Sequence, residues 1–314
     1  MLSISEEDIK KNWNPSYGGH PVVSIQCMTF NHEAYISEAL ESFLMQETDF
    51  PFEVIVHDDA STDDTARIIR EYEKKYPHII KPLYETENQY RKGNLRKIIE
   101  PYLRGKYIAV CEGDDWWTDR RKLQKQVDFL ESHDNLSCVC CRYERYIEKT
   151  KEKSDERDLY FDDPKNSLKD FYIFDRKYVF FKQWITKTLT MVYRKDVYDK
   201  VSDIYKKKKF KSTQDIHSVF YALKFGKGAC LNFKGGIYRI HETNVWGHLS
   251  DEKKFLSRYE TYQDFHKKEH SPIIWYTYHA LKTGYILNYT PQDKYRLRKI
   301  LLRLLKKIVR LVRK

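Results

Sequence analysis

The segment Tyr107-Ile108-Ala109-Val110-Cys111 runs directly into Glu112-Gly113-Asp114-Asp115, which sets three carboxylates within four residues at the end of an apolar run. A run of that length, preceded by Gly105, has the character of a buried strand. Like charges this close repel, and each resists ionising unless a cation lies among them. Hard oxygen donors on so short an arc suit a divalent ion such as Mg²⁺ or Mn²⁺. An ion held by few protein ligands keeps positions for phosphate oxygens. An acidic turn that only solvates a strand end would give the same pattern, so the other strand ends must decide.

A second apolar run ends the same way. Phe52-Glu53-Val54-Ile55-Val56-His57 leads into Asp58-Asp59-Ala60-Ser61-Thr62-Asp63-Asp64-Thr65. That cluster predicts a helix start with Ser61 or Thr62 as the cap, followed by Ile68, Ile69, Tyr72 and Tyr76 at helical spacing. Before it, Val22 to Met28 reads as a strand, Thr29-Phe30-Asn31-His32 as a polar turn, and Ile36, Leu40, Phe43 and Leu44 as one helix face. Strand and helix alternate, which predicts an α/β fold whose parallel sheet is covered on both faces. Ligands of such sheets gather beyond the carboxyl ends of the strands. Thr29, Asp58, Asp59 and the acidic turn 112–115 all fall on that edge, and their convergence marks a site.

The blocks VSIQCMTFNHEAYISEALESFLMQ, FEVIVHDDASTDDT and GKYIAVCEGDDWWTDRRKLQKQVDFL, in this order, resemble family 2 glycosyltransferases over roughly residues 20–245. The resemblance implies a GT-A fold: a Rossmann-like nucleotide-binding half with a mixed, mainly parallel sheet, here with a C-terminal helical extension. It implies a transferase that moves a sugar from a nucleotide-diphosphate donor, expected to be a UDP-sugar, to a glycan or lipid-linked acceptor, with inversion at the sugar carbon. By the same resemblance Thr29, Asp58, Asp59 and Asp114 hold the nucleotide, while Asp115 and Glu112 hold Mn²⁺ or Mg²⁺. Glu112 stands where the family's D-x-D motif begins with aspartate, which keeps the charge and adds a methylene. Ser212-Thr213-Gln214-Asp215 resembles the family's x-E-D block, with Asp215 in the place of the catalytic base; a plain helix cap accounts for the same residues. The segment from Gly236 to Trp246 resembles the close of the catalytic domain. There His241 would complete the metal shell, or be a structural histidine, and Arg239 would steady phosphate charge. Trp116 and Trp117 would wall a sugar pocket, or belong to the core. The stretch 87–94 fits a variable loop beside the nucleotide and receives no role.

The chain of 314 residues divides on this reading into a lead-in 1–19, a catalytic domain 20–249 (halves 20–118 and 119–249) and a helical extension 250–314. Its net charge is +11, from 57 basic and 46 acidic residues. Ten Lys/Arg against Asp293 alone lie from Gln292 to Lys314, giving +9 there and +2 (47 minus 45) elsewhere. Leu297, Ile300, Leu301, Leu304, Leu305, Ile308, Val309 and Val312 form a stripe opposite Arg296, Lys299, Arg303, Lys306, Lys307 and Arg310. Residues 293–314 therefore predict a helix lying on an anionic membrane surface, too polar to span it, with docking on the protein itself as the other option. Basic charge confined to one terminal helix argues against nucleic acid as partner. The polar, acidic stretch Met1–Asn14 lacks signal-peptide character. Six cysteines without zinc spacing fit buried thiols in a reducing compartment. The expected location is cytoplasmic, peripheral at the inner face of the cell membrane. A sugar-1-phosphate nucleotidyltransferase would need a Gly-rich loop with Arg after the first strand, where this chain has Thr-Phe-Asn-His. A nucleotide-sugar-binding protein without transfer activity remains the other alternative.

Overall fold

The computed structural model describes residues 3–92, 95–183, 185–210, 215–242, 244 and 249–289. They divide into two compact units, the first comprising 1–207 and 213–240, the second 208–212 and 241–314. The division falls at Ile240, earlier than the expected 249, and the lead-in 1–19 belongs to the first unit.

The first unit is built on strands β1 (Val23–Thr29), β2 (Phe52–Asp58), β3 (Ile80–Tyr84), β4 (Tyr107–Val110), β5 (Trp116–Trp117), β6 (Leu136–Ile147), β7 (Glu152–Asp155), β8 (Phe171–Phe174), β9 (Val192–Arg194) and β10 (Lys227–Ile240). They form one mixed sheet in the order β3-β2-β1-β4-β9-β6-β10-β5, with β7 on β6 and β8 on β10. The half β3-β2-β1-β4 is parallel throughout. Burial explains its composition: every residue of β2 and β4 is buried, and β1 exposes only part of Met28. Strands covered on both faces need such near-continuous apolar runs. From β4 onward the pairing turns antiparallel through β9 to β6, while β10 runs parallel to β6.

Among the described residues five α-helices precede β6: α1 (Glu6–Lys10), α2 (Ile36–Leu44), α3 (Thr65–Lys75), α4 (Leu95–Ile99) and α5 (Lys122–Glu131). Helix α2 buries Ile36, Ala39, Leu40, Phe43 and Leu44, the stripe its spacing predicts. The start of α3 differs from expectation. It begins at Thr65 behind Asp64, whose side chain makes no capping bond, and the Asp63 carboxylate receives the Thr65 N–H instead (3.0 Å). Ser61 and Thr62 are drawn into contacts across the sheet edge, and that competition moves the helix start. After β8 come α6 (Arg176–Phe181), α7 (Lys195–Lys208) and α8 (Asp215–Phe225). All six cysteines are buried free thiols.

The second unit contains α9 (Asp251–Lys268) and α10 (Pro272–Tyr289). Tyr262 and Phe265 of α9 are buried, and Tyr278 of α10 stacks on Tyr259 and His266 at ring distances of 5.7 and 5.0 Å. No helix among the described residues is long and apolar enough to cross a membrane. The amphipathic stretch 293–314 lies outside the described residues.

Candidate active site

Register brings the first polar residues together. Thr29 lies opposite Asp58 at the ends of β1 and β2, and the Asp59 N–H donates to the Thr29 carbonyl (3.0 Å). The turns that follow are tied side chain to backbone. Asn31, at φ +54°, donates its N–H to Ser61 Oγ (2.9 Å) and accepts the Thr62 N–H at Oδ1 (2.8 Å). The His32 N–H reaches Thr65 Oγ1 (2.8 Å), while Glu33 exchanges bonds with Asp63 and Asp64 (3.0 and 2.8 Å). Asn tolerates the left-handed conformation, which is why it suits this crossing. Asp58 accepts the Ser61 hydroxyl, yet burial still pushes its carboxyl above the usual range. Asp59 is buried and spends both oxygens on the loop after β3, accepting the N–H groups of Gln89 (2.7 Å) and Tyr90 (3.0 Å). Asp59, expected to hold the nucleotide, thus anchors the loop of the 87–94 stretch that received no role.

The acidic turn continues the β1–β4 ladder: the Cys111 N–H donates to the Gln26 carbonyl and the Gly113 N–H to that of Met28 (2.9 Å). A Cβ at Gly113 would stand 2.9 Å from Thr29 Cβ and 3.0 Å from Ile36 Cδ1, so only glycine permits this approach. Oxygens of Glu112, Asp114 and Asp115 lie within 4.8 Å of one another. Asp115 is buried and accepts the Arg239 N–H at Oδ1 (2.8 Å), whereas its Oδ2 has no hydrogen-bond partner among the described residues. Burial and the neighbouring charges of Asp114 and Glu112 push the Asp115 carboxyl well above its ordinary value. Glu112 is pushed up to about 8 by burial, Asp114 and Asp215. Asp114 lies 3.9 Å from His32 Nε2. The Thr29 hydroxyl, also buried, has no hydrogen-bond partner among the described residues. Carboxylates crowded until they resist ionisation, with a bare buried oxygen among them, match what a hard divalent cation requires.

The second half of the site departs from expectation at three residues. Trp117 is buried in the core, donating Nε1–H to the Leu189 carbonyl (2.8 Å) with its ring 4.7 Å from Phe43, so it walls no pocket. Trp116 is half-buried beneath the Arg239 guanidinium, 4.3 Å from the ring centre. Arg239 itself is buried and committed: Nε donates to the Asp114 carbonyl (2.9 Å), and the other nitrogens pair with Glu38 and Glu148. It braces the acidic turn instead of offering free charge to phosphate. The antiparallel pairing of Trp116 with Ile237 brings Arg239 there.

Asp215 stands exposed at the first position of α8, and its Oδ2 accepts the Thr188 hydroxyl (2.6 Å). Thr188 is followed by Leu189, whose carbonyl receives the Trp117 Nε1–H, so the turn that holds Asp215 is tied to the strand directly after the acidic turn. His241 is buried and belongs to the second unit, with its N–H on Asn244 Oδ1 (2.5 Å) and its ring 2.9 Å from the Asn244 amide. Gln214, the other residue of the x-E-D resemblance, lies outside the described residues. Two neighbours had no sequence signal. Thr188, which holds Asp215, and Lys187, whose ammonium lies 3.4 Å from the centre of the Tyr238 ring, sit in a short turn without motif or periodicity.

The profile of glycosyl transferase family 2 matches residues 24–202, more than half of the chain. This chain belongs to that family. An uncharacterised protein of Mycobacterium tuberculosis is 46% identical over 125 residues, which make up 40% of this chain and 36% of that protein. The chain thus spans well under two thirds of the length of the curated relatives it matches. Among solved structures, Staphylococcus aureus TarS 1-349 in complex with UDP-GlcNAc superposes with a TM-score of 0.60 at 18% identity, covering 88% of this chain and 75% of that one. The mannosyltransferase PcManGT of Pyrobaculum calidifontis, in complex with GDP-Man and Mn²⁺, gives 0.53 at 17% identity over 98% and 88%. These likenesses establish the GT-A fold of the family member.

Proposed function

We propose that this family 2 member transfers a sugar from a nucleoside diphosphate donor, read as a UDP-sugar, to a glycan or lipid-linked hydroxyl during surface polysaccharide synthesis. The reading includes inversion at the sugar carbon and dependence on Mn²⁺ or Mg²⁺. One observation carries it: three carboxylates lie within 4.8 Å of one another at the end of β4, one of them with a buried oxygen that no described residue satisfies. Support comes from the nucleotide sugars in the names of the TarS and PcManGT complexes, and from TarS being a poly(ribitol-phosphate) β-N-acetylglucosaminyltransferase.

Asp115 and Glu112 would hold the ion, and Asp114 the nucleotide. When bound, such an ion supplies neutralisation of the charge that develops on a departing diphosphate. Thr29 and Asp58 offer a hydroxyl and a carboxylate to the nucleoside. Asp59 shapes the pocket through the backbone of Gln89 and Tyr90, and Arg239 keeps the acidic turn in register. Asp215 takes the proton from the acceptor hydroxyl as the new bond forms. Its exposure gives an acceptor access, and Thr188 fixes the orientation of the carboxylate. Residues 293–314 would hold the protein against an anionic membrane on the cytoplasmic side.

The test is a thermal-shift screen of UDP- and GDP-sugars with Mn²⁺ or EDTA, followed by transfer assays. Asp115→Asn preserves the volume of the buried side chain and should abolish both transfer and the Mn²⁺-dependent shift. Asp215→Asn should retain donor binding and lose about 10²–10⁴-fold in turnover. Full turnover in either variant removes that residue from its role.

A further inference from the structure

The acidic turn presents a problem of charge. Three carboxylates already outweigh a divalent cation, so an entering diphosphate meets no net positive charge unless the protein adds some. Arg239 is taken up by Glu38 and Glu148, and His32 faces Asp114. Lys187 is different. Among the described residues its ammonium has no carboxylate within ion-pairing distance, and its recorded neighbour is the Tyr238 ring at 3.4 Å.

The backbone beneath it is fixed. The Thr190 N–H and hydroxyl both bond to the Lys187 carbonyl (2.9 and 2.7 Å). Thr188 binds Asp215, the Leu189 carbonyl receives Trp117 Nε1–H, and the Thr190 carbonyl receives the Gln126 amide (2.8 Å). The Met191 carbonyl accepts the Val110 N–H (3.1 Å), immediately before the acidic turn. Lys187 therefore projects from a segment bolted to the acidic turn on one side and to Asp215 on the other. Its side chain is half-buried. Burial alone would depress the ammonium, yet Tyr238, Glu112, Asp115 and Asp215 hold it above its ordinary value, so the cation lies within their field. A charge kept there without an ion pair retains all three donors for a ligand, and lysine meets phosphate as a compact point charge.

We propose that Lys187 binds the diphosphate of the donor, lying on the Tyr238 ring between the acidic turn and Asp215 and adding positive charge that the carboxylates lack. This rests on the nucleotide-sugar reading given above and extends it to a residue which that reading leaves unused. A preorganised cation there acts on charge as it builds on the leaving group, without reorganising.

The experiment compares wild type, Lys187→Met, Lys187→Gln and Lys187→Arg for binding of UDP and of GDP, each with EDTA and with Mn²⁺, beside titrations with Mn²⁺ alone. Far-UV dichroism and the unliganded melting temperature of each variant serve as the folding check. The expected result is nucleoside diphosphate binding weakened at least about tenfold in the Met and Gln variants, in EDTA as well, with the Arg variant within about threefold of wild type. If the Met and Gln variants fold and bind UDP and GDP as wild type does, the proposal is overturned. It is equally overturned if they differ only by binding Mn²⁺ more tightly, for then Lys187 is a counter-charge to the turn. A wild type that binds neither nucleotide would instead overturn the proposed function, with this inference following it.

Discussion

Asp115 gives one oxygen to the Arg239 N–H and leaves the other, equally buried, without a donor. A carboxylate so placed favours its protonated form until a cation arrives. Glu112 shares the condition, pushed up to about 8. The consequence for stability has a definite sign. In the metal-free protein the folded state holds these protons more tightly than the unfolded chain. Stability is therefore lost as pH rises from the ordinary carboxylate range toward about 8. An ion bound at this turn, as proposed, would displace the same protons, so its binding would strengthen over that interval. The rise in melting temperature caused by a fixed Mn²⁺ concentration should be larger at pH 8 than at pH 6. Equal rises would mean that the ion binds elsewhere. The acidic triplet itself was legible in the sequence, because adjacency along the chain already forces these charges together. The bare oxygen was not, since it depends on which one of two oxygens Arg239 satisfies.

At the scale of elements, the strand–turn–helix units β1–α2 and β2–α3 were readable from apolar runs and turn residues, and they deliver Thr29, Asp58 and Asp59 to one edge. Local rules failed where side chains serve a neighbouring turn. Ser61 and Thr62 look like caps, yet Ser61 donates to Asp58 and accepts the Asn31 N–H, while the Thr62 N–H crosses the edge to Asn31 Oδ1. The turn 187–190 carries no pattern at all, and only its contacts reveal that it joins Trp117 to Asp215. Thr188→Val removes the hydroxyl that orients Asp215 while keeping side-chain shape. It should lower kcat by about tenfold with the donor KM unchanged, and Thr188→Ser should restore most of the loss. A rise in KM without a change in kcat would assign Thr188 to donor binding instead.

For the whole molecule, the mixed sheet joins a parallel half to strands whose partners lie far away in sequence: β4 pairs with β9, and β10 with β5, β6 and β8. Such pairings leave no trace in periodicity, which reports how a residue is buried but not against what. The basic stretch 293–314 is a property of composition, and its test is made on the full chain. Deleting 293–314 should release the protein from anionic liposomes and abolish the salt dependence of its partitioning. Undiminished partitioning of the shortened protein would rule out this segment as the anchor.

The chain's order of residues determined where charge would crowd, which segments would be strands, and that several polar strand ends would share an edge, because each follows from neighbours along the backbone. Folding decided which of those groups remain available. Trp117 went to the core, Arg239 to Glu38 and Glu148, and Asp59 to the loop backbone, while Lys187 came to lie over Tyr238. Hydrogen bonds and ion pairs are satisfied in space, between residues as distant in sequence as Glu38 and Arg239, and so only the tertiary structure separates a side chain that braces the site from one left to meet a ligand.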